Sequence, residues 1–185
     1  MSLTFPALPP KDDPTTLWSL QQQLLAAAES RFGQRDTNKQ IYQPIFRDDG
    51  PILINTPNLD GAFAALSQNA AVYWPTAVYE LAHETVHLLN PIVGFANWLE
   101  EGIAVAFSIE MSSELTRHPQ FPSEGSNYAI AMSLLQSLPK EYQEAAKLIR
   151  AECALNSVTN DILQRLFPRT APAILAKLAE TCVPR

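Results

Sequence analysis

Leu17, Leu20, Leu24 and Leu25 recur at three- and four-residue intervals between Pro14 and Phe32, and Gly33 follows at once. That spacing predicts one apolar helix face, with proline in the first turn and glycine just past the last. The period then changes. Ile41 to Arg47 and Pro51 to Asn55 are short apolar-rich runs split by Asp48-Asp49-Gly50. They read as a β-hairpin whose first strand is an edge, because Pro44 has no N–H to donate. Leu59 to Asn69 reads as another short helix. Between Pro75 and Leu89 the apolar residues Val78, Leu81, Ala82, Val86, Leu88 and Leu89 fall on most sides, and a helix apolar nearly all round is a buried one. Asn97 suits the N-cap of the next helix, with Glu100 at the capping-box position. Further helices are predicted from Ser123 to about Leu138, Pro139 to about Leu155, Thr159 to Phe167 and Ala171 to Glu180. Glu141, Glu144 and Lys147 mark the wet face of the second of these. The pattern predicts an α+β fold, predominantly helical, with a small β-hairpin or sheet on the N-terminal side.

Composition narrows the class. The 185 residues are 46% hydrophobic and 17% charged, which suits one soluble globular domain. Residues 1–13, with Pro6, Pro9 and Pro10, read as an extended arm, and 14–185 as the single domain. A net charge of -6 offers no basic stripe for phosphates, so nucleic acid is not an expected partner, nor is an anionic membrane. Apolar runs such as Ile103 to Ile109 are far short of a bilayer span. The start of the chain lacks a charged, then apolar, leader, and Cys153 and Cys182 are too few for a secreted scaffold. The expected compartment is the cytoplasm. The two cysteines can be buried thiols or a disulfide; both readings stay open.

Chemistry is concentrated at His83-Glu84-Thr85-Val86-His87, which holds two of the three histidines of the chain. Positions i and i+4 of a helix share a face, so both imidazoles can reach one ion. Glu84 sits one step round, where its carboxylate approaches a metal-bound water without being a ligand. The set suits zinc hydrolysis: two neutral nitrogen ligands, an open position and a general base. A third ligand is needed. Asn90, Pro91, Ile92 and Val93 stand where a further histidine motif would follow, and no histidine comes before His118. A carboxylate on the next helix is the alternative. Glu101 emerges from an apolar face beside Ala104 and Val105 and is the expected ligand, with Glu100 in reserve.

H-E-x-x-H followed by Trp98-Leu99-Glu100-Glu101-Gly102-Ile103-Ala104 resembles the gluzincin branch of the zincin metallopeptidases, and within it the small peptidase-MA-like domains. The resemblance covers roughly residues 72 to 140. It implies a zincin-like metal helix pair, Zn2+ as cofactor, Glu101 as the zinc ligand beside His83 and His87, and Glu84 as general base. It also implies a tyrosine that steadies the oxyanion, for which Tyr128 is the matching residue; an aromatic on an amphipathic helix is the plainer reading of the same side chain. Larger relatives orient a zinc histidine with a carboxylate one turn past the glutamate ligand, where this chain has Val105. That orienting contact is then expected from Glu80, Asn97 or a backbone carbonyl, or is absent. His118, in Arg117-His118-Pro119, reads as a loop residue. The function expected is a zinc-dependent hydrolase of peptide bonds acting on a peptide or protein, its hairpin either holding the substrate by backbone pairing along the edge strand or merely covering one side of the helices. The alternative is a catalytically inactive zinc-binding regulatory or interaction module that kept the helix pair.

Overall fold

The computed structural model describes residues 5–183. Helix α1 spans Pro14–Phe32, with Asp13 accepting from the Thr16 N–H at its start and Gly33 at its end, as the leucine spacing predicts. Two helices further on carry the motifs. The first runs Trp74–His87 and the second Trp98–Thr116, and between the two comes a turn with Gly94 in the left-handed region. Val78, Leu81, Ala82 and Val86 are fully buried, because the first of these helices has neighbours on every side: α1, the second motif helix and the sheet. That enclosure is the physical reason for its all-round apolar pattern.

The sheet corrects the sequence reading. Four strands, β1 (Gln40–Ile41), β2 (Ile45–Phe46), β3 (Ile52–Asn55) and β4 (Gly61–Leu66), are ordered around β4. β1 and β2 pair in parallel with successive halves of β4, and β3 pairs antiparallel along its other edge. The two runs flanking Asp48-Asp49-Gly50 therefore do not pair with each other. The hairpin is β3–β4, closed by Thr56 and Asp60 side chains bonded at 2.6 Å. β4 lies inside the segment expected to be helical. Its alanines have high helix propensity, but small side chains also let a central strand lie close under a helix, and non-local pairing wins. A Cβ on Gly61 would come within 2.5 Å of the Gln40 carbonyl, so the β1 contact requires glycine.

Short helix α2 (Gln68–Val72) leads into α3 (Trp74–His87) and then α4 (Trp98–Thr116), followed by α5 (Asn127–Gln136), α6 (Tyr142–Arg150), α7 (Asn160–Leu166) and α8 (Pro172–Ala179). α6 stops before the expected Leu155. Arg150 turns to the Phe32 carbonyl and the Asn90 side chain, and Asn156 donates to the Asn90 carbonyl at 2.8 Å, so the chain bends to hold the α3–α4 turn. Of the N-terminal arm, residues 1–4 lie outside the described residues; Phe5 stacks on Trp74, and Pro10–Asp12 form a 3-10 turn. Among the described residues no helix is long and apolar enough to cross a membrane. Cys153 and Cys182 are both free.

Candidate metal centre

α4 begins beside the end of α3, and three segments fix that start. The Asn97 side chain accepts from the Glu100 N–H at 2.8 Å and donates to the Leu155 carbonyl at 2.8 Å. The C-terminal tail pairs across it, with Trp98 N–H on the Glu180 carbonyl and Cys182 N–H on the Ala96 carbonyl. Gly102 lets α5 come close: a Cβ there would stand 2.6 Å from the Ala131 carbonyl. Each constraint bears on where the Glu100 and Glu101 carboxylates lie.

His83 and His87 face those carboxylates. Their Nε2 atoms are 3.2 Å apart, Glu101 Oε2 is 3.2 Å from His83 Nε2, and Glu101 Oε1 is 3.7 Å from His87 Nε2. Ligand atoms held tetrahedrally about 2.0–2.1 Å from zinc stand about 3.3–3.4 Å from one another. The two 3.2 Å separations at His83 come near that spacing, while His87 is approached by the other Glu101 oxygen, and one ligand atom from each of the three side chains lies within 4.8 Å of the others. Glu101 Oε2 is buried and has no well-directed hydrogen bond, as befits a ligand atom. Among the described residues this is the one cluster of three His, Cys, Asp or Glu ligand atoms close enough to share an ion.

Glu100 has the neighbouring role. It is 2% exposed, and its Oε1 lies 3.4 Å from His87 Nδ1, the ring nitrogen turned away from the ligand cluster. A carboxylate there fixes the imidazole's orientation and tautomer. This corrects two expectations. Glu100 is half of a capping box only through its backbone, and the orienting contact comes from neither Glu80 nor Asn97. Glu80 is spent on Ser67, bonding its N–H at 2.8 Å and its hydroxyl at 2.6 Å. Val105 is fully buried and offers no polar atom.

Glu84 stands outside the ligand cluster but lines the same cavity, of about 180 Å3, as His83, His87 and Glu101. Tyr128 reaches this cavity from α5, its ring edge-on to His83 with centroids 5.0 Å apart. His118 does not come near. It follows the far end of α4, about 25 Å from Glu101 by helical rise. Sequence reasoning missed Asn90, Asn156 and Phe95 in the cavity wall, which the turns at either end of the helices bring in.

No Lys or Arg lines this cavity, while three buried or half-buried glutamates do. Burial holds the Glu84 carboxyl above the usual carboxylate range. Burial would lower the His87 pKa, but Glu101, Glu100 and Glu84 outweigh it and push it up to about 10. For Glu101 the balance tips the other way: burial opposes its charge, and the two imidazoles still hold its pKa below the ordinary value. Among these groups His83, His87 and Glu101 stand close enough together that they could hold a metal ion. No family model, no curated protein and no solved structure matches the chain.

Proposed function

We propose that the protein is a zinc-dependent hydrolase of peptide bonds. The observation that supports this reading is the convergence of His83, His87 and Glu101, close enough to share a metal ion, with Glu84 lining the same cavity. When bound, zinc brings the pKa of a water on it from about 15.7 towards about 7 and polarises the substrate carbonyl. Glu84 takes the proton of the attacking water and hands it to the leaving amine. Glu100 keeps His87 in register through Nδ1. The Tyr128 hydroxyl, carried on the opposite wall, donates to the oxyanion that develops on the carbonyl. β3 has one free edge, and its Ile52 and Leu53 line the cavity, so an extended peptide can pair with it and lie across the site. Both cysteines are free thiols, which fits the cytoplasm as the compartment.

Zinc-loaded Glu84→Gln is expected to keep its zinc and to lose about a hundredfold or more of its turnover on an unbiased peptide library. Parent-like cleavage by that variant would overturn the assignment. One observation favours the alternative of a non-catalytic zinc-binding module: Val105 gives His83 no carboxylate to orient it. Zinc bound by the parent chain without cleavage of any library member decides for that alternative.

A further inference from the structure

The metal cavity does not end at Tyr128. A second cavity of about 500 Å3 opens on the other side of that ring, and Tyr128 and Glu101 belong to the walls of both. The two chambers differ in chemistry. The first is walled by Ile52, Leu53, Ile92 and Phe95 around the two histidines and holds no Lys or Arg among the described residues. The second runs from Trp98 and Ile130 to the start of α5 and includes Lys177, the one Lys or Arg in either wall among the described residues.

Several exposed apolar side chains line these chambers. Ile52, Phe95 and Ile130 are 46, 55 and 43% exposed, and all three line one chamber or the other. Water-exposed apolar surface concentrated along a concave site marks a place that a ligand covers. The Lys177 ammonium lies over the Trp98 ring, 5.0 Å from its centroid, and 2.7 Å from Glu180 Oε2. That ion pair is exposed on both sides, so it is weak and exchanges partners readily. Trp98 itself is 8% exposed, and its Nε1 is buried without an acceptor. The other ionisable groups in this wall are Glu101, Tyr128 and Cys182. Glu101 faces the three-ligand cluster and has its charge met there.

We infer that the two chambers form one groove that selects an extended peptide segment, with a bulky apolar side chain in the chamber beneath β3 and a carboxylate in the chamber at Lys177. This rests on the hydrolase reading and adds its substrate class. The carboxylate is assigned across Tyr128 because Lys177 stands there, while the apolar side chains wall the first chamber. Its source is either an acidic side chain or a chain terminus.

The test uses the zinc-loaded full chain and fluorogenic peptides that keep Leu or Phe on one side of the scissile bond. The other side carries Glu, Gln or Lys, in both orientations, each peptide as free acid and as amide. Peptides bearing a carboxylate in the right place are expected to exceed their Gln counterparts by about fivefold in kcat/KM. Lys177→Glu is expected to reverse that order in favour of Lys. A Glu over Gln preference that survives amidation assigns the carboxylate to an acidic side chain, and a free-acid over amide preference that is the same for Glu, Gln and Lys peptides assigns it to the terminus; either supports the groove. Equal cleavage of Glu, Gln and Lys peptides together with equal cleavage of free acids and amides, or a charge preference unchanged in Lys177→Glu, overturns the inference and leaves the hydrolase reading standing. If zinc is bound and nothing is cleaved, the hydrolase reading has failed instead. The groove is then judged by binding of the same peptides to parent and Lys177→Glu chains, read by tryptophan fluorescence, where a charge order that does not reverse overturns it.

Discussion

The floor and the rim of the metal cavity are built in opposite ways. On the floor, His83, Glu84 and Glu100 are 4, 3 and 2% exposed and come from two helices packed along each other. On the rim, Ile52 and Phe95 are about half open to water and come from a strand and a turn. A buried ionisable group keeps its place only while each partner is present, so the floor tolerates little change. Rim groups have solvent on one side and can be exchanged without disturbing what lies beneath. On the proposed reading, the metal-binding and base groups therefore sit in the part that tolerates little change, and the apolar contacts to a ligand in the part that can vary.

The sharpest way to break that contrast is at two adjacent floor residues. Glu101→Ala is expected to bring zinc content, measured by elemental analysis, close to zero. Leu81→Ala, which empties a fully buried position behind the histidines, is expected to cost about 2–5 kcal/mol in chemical denaturation. Glu100→Ala should leave zinc bound but about ten- to a hundredfold more weakly, read by competition with a chromophoric chelator. Equal losses in Glu100→Ala and Glu101→Ala would merge the two roles drawn apart above. At the rim, Phe95→Ala is expected to move the unfolding free energy by less than about 0.5 kcal/mol. A Phe95→Ala loss as large as that of Leu81→Ala would erase the distinction between the two layers.

How much of this was legible in the chain depends on how far each contact reaches. α1 and the α3–α4 pair follow from local spacing and caps, and the i, i+4 histidines are a local geometry too. Glu101 was readable because its helix neighbours are apolar, which left its charge without another explanation. The contact of Glu100 with His87 was not readable: it depends on where α4 lies against α3, which no helical period encodes. β4 was misread for a similar reason. Gly61 to Leu66 looks helical by propensity, and only pairing with three other strands makes it extended. The Lys177 chamber joins α8 to α4 and α5, elements separated by most of the second half of the sequence, and nothing near Lys177 announces it.

The tail that braces α4 also has a practical consequence for handling the protein. The Val183 carbonyl accepts from the Asn127 side chain at the mouth of the second chamber. A purification handle attached beyond Val183 therefore starts from the mouth of that chamber, and a run of histidines there offers imidazoles that compete for an ion at the proposed site. Phe5 rests on Trp74, at the opposite end of α3 from His87 and about 20 Å away by helical rise. Tags belong on the N-terminus.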